Sequence, residues 1–501
     1  MTLQELFAPY GLSAPPLGVR GLTLDSREVE PGFVFVAAPG VPLPHRKPLD
    51  GHDFIPEALG RGAIAVVGER DLALPVPYLK VADSRQALAE LARRFYGEPD
   101  RGLFLFGVTG SKGKSTTAAL LHHLLPRAAL LSTVGLWLGE ERRPPLGHFT
   151  TPEAHRVYAF LREAADRGLR EAVLEVSSHA LALKRVEGLS YGIGVFVSFY
   201  PDDHLDLHGT PEAYFRAKAL LVERSELAVL STRLPHLDLL RRRPHLLFGP
   251  GGEVWAEGVR ETEKGLAFAL HTPFGRGEAF LSMLGTYNLE NALAASAAAL
   301  AYGLSLEEVL ARLATFPGVP GRMEVVQEEP FRVVIDFAHT GKSLEAALTT
   351  LRRTTKGRLL LVVGAAGERD PGRREDIGKV AARLADKTFF TEEDHRTEPL
   401  EAILEALAEA ARREGGVFEL VPDREEAILR AVLEAQEGDT VLLAGKGHEA
   451  TLERGTLALP WDERAVALAA LRKRFPEASP RELTPPHAGP SQHGGPGKKD
   501  L

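Results

Sequence analysis

The chain has 501 residues, with 60 basic and 68 acidic side chains spread without long single-sign runs, and no cysteine. That balance gives no electrostatic reason for a nucleic-acid or membrane partner. The absence of cysteine excludes disulfides, thiolate catalysis and cysteine-ligated zinc or iron–sulfur sites. At about 150 residues per domain the length suggests roughly three domains. No apolar run reaches the roughly 18 residues that cross a bilayer, and Met1 to Pro15 lacks a basic start with an apolar centre, so a cytoplasmic protein is expected.

The first segment, expected at 1–97, predicts short apolar strands at Val34–Ala37, Ala63–Val67 and Tyr78–Val81, separated by Pro/Gly turns, and then a helix over Ser84–Tyr96. The second, 98–321, opens on a strand at Leu103–Val108 and a glycine-rich turn, with a helix predicted over Thr116–Leu125. It continues with strands at Ala172–Val176 and Ile193–Ser198 and an alanine-rich helix over Asn291–Tyr302. It closes on Pro317-Gly318-Val319-Pro320-Gly321, where proline and glycine cluster as at a linker. The third, 322–475, alternates regularly, with strands at Val333–Phe337, Leu359–Val363, Lys387–Thr391 and Thr440–Ala444 and helical runs such as Glu401–Arg413. Residues 476–501 turn to Pro, Gly, His and Lys without periodicity and are expected to be disordered. Strand and helix alternation of this kind predicts an α/β protein with parallel, doubly wound sheets.

The glycine-rich turn is Gly107-Val108-Thr109-Gly110-Ser111-Lys112-Gly113-Lys114-Ser115, with Thr116 following. Between a strand and a helix, Gly110 and Gly113 let successive N–H groups point at phosphate oxygens, and the helix N-terminus adds its partial positive charge. Lys114 would reach the outer phosphates, and the Ser115 hydroxyl suits Mg²⁺, which takes oxygen ligands. Five residues rather than four separate Gly107 from Gly113, so the loop is a variant of the general pattern. In such sheets ligands lie beyond the carboxyl ends of the strands. There the sequence places Glu175-Val176-Ser177-Ser178-His179 and Asp202-Asp203-His204-Leu205-Asp206-Leu207-His208. Glu175 and His204 are the candidate Mg²⁺ ligands, because ATP chemistry needs cations that neutralise charge moving onto the leaving phosphate. Thr210-Pro211-Glu212 starts a capped helix that carries Lys218, which taken alone is an ordinary helix lysine.

These motifs occur in one order with Asp25-Ser26-Arg27, Thr150-Thr151-Pro152, Asn288 with Asn291, Gly321-Arg322-Met323-Glu324, Asp336 with His339, and Gly445-Lys446-Gly447-His448-Glu449. Over about residues 20–465 the chain resembles the Mur ligases, ATP-dependent enzymes that add amino acids to the peptidoglycan precursor, and within them the MurE branch, which forms UDP-N-acetylmuramoyl-tripeptide. The resemblance implies a small α/β uridine-nucleotide domain, a central parallel-sheet domain like that of phosphate-loop ATPases, and a carboxyl-terminal Rossmann-like domain for the amino acid. It implies that Ser26 holds the uridine nucleotide and that Thr150, Thr151, Ser178 and Arg185 hold the sugar-peptide. Gly110, Ser111, Lys112, Gly113, Lys114, Ser115, Thr116, Asn288, Asn291, Arg322, Asp336 and His339 would line the ATP site. It further implies that Lys218 carries a carbamate derived from CO₂, because a carbamate, unlike an ammonium, is an oxygen ligand for Mg²⁺. Lys114, Lys218, Glu175 and His204 are the expected catalytic set, and Ser115, Glu175, His204 and carbamylated Lys218 the expected metal set.

The departures bear on which amino acid is added. Family members that use meso-diaminopimelate carry Asp-Asn-Pro-Arg, whose arginine grips the distal carboxylate. Here the matching place is Glu393-Asp394-His395-Arg396. Two carboxylates suit a side-chain ammonium, so lysine or ornithine is favoured over meso-diaminopimelate. The competing reading makes Glu393 and Asp394 solvated loop charges paired by Arg396. Arg369 in Gly367-Glu368-Arg369-Asp370 is a candidate for the amino acid's carboxylate, Gly445 and Glu449 complete that set, and Arg373 and Arg374 read as surface basics. The expected partners are UDP-N-acetylmuramoyl-dipeptide, ATP and a diamino acid, with the enzyme acting as a monomer. Two alternatives compete: an amide ligase like folylpolyglutamate synthetase, against which residues 20–96 argue, and a phosphate-loop switch that moves a partner.

Overall fold

The computed structural model describes residues 1–41, 48–146, 149–201 and 205–476. The candidate ligand His204, and all but Pro476 of the tail, lie outside the described residues. The chain divides into two compact units. One comprises Met1–Glu257, Ala269–Gly277 and Glu290–Arg312; the other comprises Gly258–Phe268, Glu278–Leu289 and Leu313–Leu501.

In the first unit, strands Gly21–Thr23, Phe33–Val36, Ala65–Gly68 and Tyr78–Lys80 pair in sequence order as a parallel sheet. Helix Ser84–Phe95 follows, started by Asp83, whose side chain accepts from the Gln86 N–H. Its apolar stripe at Leu88, Leu91 and Ala92 lies in one buried cluster with Val157, Tyr158 and Leu161 of helix Ala154–Asp166. The small first sheet and the larger central one therefore share a core, and length alone did not reveal this.

The central sheet orders its strands His245–Phe248, Ser225–Ser231, Tyr191–Phe196, Phe104–Thr109, Glu171–Glu175, Ala129–Ser132, Gly135–Leu138 and Glu141–Arg143. The first six are mutually parallel and the last two run as an antiparallel extension. The chain leaves Phe104–Thr109 toward Ala129–Ser132 on one side and later adds Tyr191–Phe196 on the other. The winding thus reverses at Phe104–Thr109, which opens the crevice just where the glycine-rich turn begins. The antiparallel extension and a three-stranded sheet at Trp255–Thr262, Gly265–Thr272 and Gly275–Leu281 were not foreseen.

In the second unit a six-stranded sheet runs Glu324–Gln327, Arg332–Asp336, Thr440–Ala444, Leu359–Val363, Lys387–Phe390 and Phe418–Leu420, parallel except for its first strand. Alternate residues feed two cores. Leu359, Leu361 and Val363 pack with helices Gly341–Thr354, Gly372–Leu384 and Leu400–Arg413; Leu360 and Val362 pack with helices Arg424–Glu434 and Glu463–Arg474. A strand covered on both faces must be apolar throughout, which is why Leu359–Val363 reads as a continuous run. Among the described residues no helix is long and apolar enough to cross a membrane.

Candidate active site

The glycine-rich turn is built as expected around Gly113. Its φ is +82°, which strains any residue with a Cβ, and a Cβ there would lie 2.2 Å from Asn291 Oδ1 unless that side chain moved. Helix Lys114–Leu124 starts at that glycine without a side-chain cap, leaving first-turn N–H groups for an anion. The loop is pinned from the adjoining strand end. Ser111 N donates to Ser198 O at 2.8 Å, Lys112 N donates to Ser198 Oγ at 3.0 Å, and Tyr200 N donates to Ser111 Oγ at 2.8 Å. Lys114 Nζ folds onto the loop carbonyls of Gly110 and Ser111 at 3.0 and 3.1 Å, and Ser115 and Thr116 are buried beneath.

Ser115 Oγ donates to Glu175 Oε1 at 2.8 Å. The other oxygen of Glu175 accepts from Ser132 Oγ at 2.6 Å, Thr133 N at 2.9 Å and Thr133 Oγ1 at 3.0 Å. A hydroxyl and a carboxylate side by side form a hard-oxygen donor set that fits Mg²⁺. Among the described residues no group of three His, Cys, Asp or Glu is disposed to hold a metal. Mg²⁺ bound chiefly through substrate phosphates and water needs only one or two carboxylates. Ser132 and Thr133 were missed by the sequence reading; they stand at the end of strand Ala129–Ser132, and the strand-end rule that singled out Glu175 after Ala172–Val176 would have reached them had that strand been read.

Lys218 is no ordinary helix lysine. Thr210 caps its helix Pro211–Glu223, Lys218 is 1% exposed, and its Nζ donates to Gly110 O at 2.7 Å while lying 4.7 Å from the Tyr214 ring centroid. Lys218, Lys114, Ser115, Glu175 and Asn291 therefore gather around one turn. The sugar-peptide candidates are linked to it. Thr151 Oγ1 donates to Glu175 O at 2.8 Å, Arg185 Nη1 donates to Thr151 O at 3.1 Å and pairs with Glu153, and Ser178 Oγ meets His208 Nε2 at 3.0 Å. Thr150 precedes them half-buried, and in the short turn Ser26–Glu28 after the first strand Ser26 Oγ donates to Glu57 Oε2 at 2.7 Å.

The remaining ATP candidates divide between the units, since Asn291 belongs to the first and Asn288, Arg322, Asp336 and His339 to the second. In the second unit Asp336 accepts from Met323 N and Ala338 N at 2.8 and 2.9 Å. Arg322 lies 4.7 Å from the Phe337 ring centroid, His339 Nδ1 is 2.8 Å from Phe337 O, and Asn288 Nδ2 donates to Leu284 O at 2.7 Å.

The strand ends of that unit bring the amino-acid candidates together and correct several readings. Glu393 and Asp394 are not solvated loop charges: they are 6% and 8% exposed. Asp394 Oδ1 accepts from Lys446 Nζ at 2.8 Å, and Lys446, fully buried, also donates to Glu449 Oε2 at 2.7 Å. Arg396 pairs with neither Glu393 nor Asp394; it donates to Glu453 Oε2 at 2.7 Å and Gly367 O at 2.6 Å. Arg374 is not a surface basic either, being 9% exposed and donating to Glu398 Oε2 at 2.6 Å, whereas Arg369 and Arg373 are exposed. His395 Nδ1 lies 3.2 Å from Glu398 O. Gly445 has φ +107°, and a Cβ there would lie 2.5 Å from Glu393 Oε2, an oxygen buried without a hydrogen-bond partner among the described residues. Burial pushes the Glu393 carboxyl up to about 7, opposed by the charges of Arg424 and Lys446.

Three family models match the chain in succession: "Mur ligase family, catalytic domain" at residues 18–96, "Mur ligase middle domain" at 108–299 and "Mur ligase, glutamate ligase domain" at 321–447. The chain belongs to the Mur ligase family. It has the three-domain α/β architecture of that family and is an ATP-dependent acid–amino-acid ligase. Among curated Mur ligases it is similar to a UDP-N-acetylmuramyl-tripeptide synthetase of Deinococcus radiodurans, 45% identical over 504 residues, covering 95% of this chain and 100% of the relative. A UDP-N-acetylmuramoyl-L-alanyl-D-glutamate–2,6-diaminopimelate ligase of Geobacillus kaustophilus is 40% identical over 472 residues, covering 90% and 95%. A solved structure of a ligase bearing that same name superposes with a TM-score of 0.65 at 30% identity, over 95% of this chain and 99% of the other.

Proposed function

We propose that this Mur ligase joins lysine or ornithine to UDP-N-acetylmuramoyl-L-Ala-D-Glu, a cytoplasmic step of peptidoglycan synthesis. Residues 1–97 would hold the uridine nucleotide, 98–321 ATP, and 322–475 the incoming amino acid. The observation that carries the choice of amino acid is the pairing at the strand ends. Arg396, which in the family grips a distal carboxylate, is spent on Glu453 and Gly367, while Glu393 keeps a buried oxygen without a hydrogen-bond partner among the described residues, which a substrate ammonium would satisfy. Meso-diaminopimelate remains the competing acceptor, since the Geobacillus relative is named for it.

The chemistry follows from what the side chains can hold. A carboxylate is a poor electrophile toward an amine, so the D-Glu side-chain carboxylate first attacks the γ-phosphorus of ATP, giving an acyl phosphate and ADP. The incoming α-amine then adds to the acyl carbon, loses a proton, and the tetrahedral adduct expels phosphate to leave the amide. Lys114 and the first-turn N–H groups hold the transferring phosphoryl oxygens, and Arg185 and Thr151 orient the sugar-peptide. Ser115, Glu175 and a carbamate on Lys218 would hold Mg²⁺, which supplies charge neutralisation at the phosphates. The carbamate forms when the neutral amine adds to CO₂ and releases a proton, and its remaining N–H can still donate to Gly110 O.

Two results test the amino-acid reading. In an ATP-dependent phosphate-release assay with the dipeptide nucleotide, lysine or ornithine should exceed meso-diaminopimelate in kcat/KM by about 100-fold; the reverse order would overturn it. The second follows from Glu393. Its ionised form attracts the substrate ammonium, so KM for the diamino acid should fall as pH rises through about 7, and Glu393→Gln should flatten that dependence and raise KM about ten-fold. The same shift works against folding. A carboxyl whose folded pKa exceeds its unfolded value keeps a proton that the unfolded chain has already released, so stability declines from about pH 4.5 to about pH 7. Glu393→Gln should therefore stabilise the ligand-free protein at pH 8, by about 3 kcal/mol at most, readable as a raised Tm.

A further inference from the structure

The loops that carry Glu393 and Gly445 follow strands that are not neighbours: Leu359–Val363 lies between Lys387–Phe390 and Thr440–Ala444. At the usual strand spacing their ends are about 10 Å apart, and no backbone ladder joins them directly. Two side chains span the gap: Lys446, which donates to Asp394 at 2.8 Å, and Arg424, which reaches the backbone of both loops. Arg424, fully buried at the start of helix Arg424–Glu434, donates from Nη1 to Glu392 O at 3.3 Å and from Nη2 to Ala444 O at 2.8 Å, and its backbone N–H donates to Glu392 Oε1 at 3.2 Å. These carbonyls belong to the residues just before Glu393 and Gly445. The guanidinium is itself held by Glu463, with Nε to Oε2 at 3.0 Å and Nη2 to Oε1 at 2.5 Å, and Trp461 Nε1 donates to the same carboxylate at 2.7 Å. Arg454 grips the Glu392 carboxylate from the outside at 2.8 Å.

We propose that Arg424, oriented by Glu463 and Trp461, is a positioning residue for the incoming amino acid, fixing the distance between Glu393 and the Gly445 turn. A planar fork with several donors can bridge two carbonyls and a carboxylate at once, which a lysine ammonium on a flexible stem does poorly. The Arg424 charge also opposes the burial of Glu393, so the pair couples geometry to the ionisation of that carboxyl. Buried ion pairs add little net stability compared with apolar side chains of similar volume, so holding the fold is not by itself a reason for this one.

The proposal rests on the reading that these loops bind the amino acid, and the test separates the two. Arg424→Lys keeps the charge but loses the bridge. Arg424→Met with Glu463→Leu removes both charges together and leaves no unpaired ion behind. Both should raise KM for the diamino acid by about 10- to 100-fold, with KM for ATP unchanged and kcat within about three-fold. The inflection near pH 7 in the KM profile should stay in place for the lysine variant and move upward for the apolar pair. Unchanged amino-acid KM in folded Arg424→Lys overturns the positioning role. If the apolar pair fails to fold, Arg424→Lys alone decides. Glu393→Gln is measured alongside: if it also leaves KM unchanged, it is the placement of the amino acid at these loops that fails.

Discussion

Replacing Lys114 with alanine should lower kcat by about 1,000-fold while the protein keeps its fold, as followed by circular dichroism and by phosphate release in a single turnover. The magnitude follows from where charge moves. Phosphoryl transfer places growing negative charge on the oxygen that leaves toward ADP, and one preorganised cation aimed at that charge is worth 10²-fold or more. Lys114 Nζ lies within 3.1 Å of two loop carbonyls in a turn whose shape is set by Gly113 and by the Ser198 contacts. A phosphate oxygen entering that turn would replace those carbonyls as its partner with little movement. Because the side chain is only half-buried, its loss leaves no large cavity, so a fall in rate would report chemistry rather than unfolding. Lys114→Arg should recover little, since a guanidinium in so narrow a turn must displace the carbonyls of Gly110 and Ser111. A kcat within ten-fold of the parent would show that the triphosphate lies elsewhere.

The strand–turn–helix at the glycine-rich loop was legible because its signal is local: a strand, two glycines, a lysine and a serine, then a helix, all within one stretch of chain. Glu175 was found by the same logic of strand ends, and the helix of Lys218 by its Thr210-Pro211 start. What could not be read was pairing at long sequence separation. Nothing in Glu393-Asp394-His395-Arg396 reveals that Lys446, 52 residues on, donates to Asp394 or that Glu453, 57 residues on from Arg396, claims its guanidinium. Arg374 looked like one more charge on a polar helix, and its burial depends on Glu398 arriving from another strand end. The shared core of the first two sheets escaped for a related reason, since periodicity shows that Leu88 and Leu91 face inward but not which helix they meet.

Lys218→Ala should also lose activity by about 1,000-fold, and acetate or formate at tens of millimolar should restore part of it, whereas chloride at equal ionic strength should not. The geometry makes this more specific than an ordinary loss of function. A lysine 1% exposed, with Nζ 2.7 Å from the Gly110 carbonyl, reaches the floor of the glycine-rich turn, and truncation to alanine removes three carbons and the nitrogen, leaving a channel that ends there. A small carboxylate can occupy that channel and present two oxygens where a carbamate would have presented its own, so rescue follows from the carbamate reading. If Lys218 instead served only as a buried ammonium tying its helix to the turn, an anion would restore nothing, and Lys218→Arg, which keeps a positive donor, would be the better replacement. The carbamate reading predicts the opposite order: Lys218→Arg inactive with or without acetate, and Lys218→Ala responsive to it. Rescue of the arginine variant's role by charge alone would reduce Lys218 to a strut for Gly110.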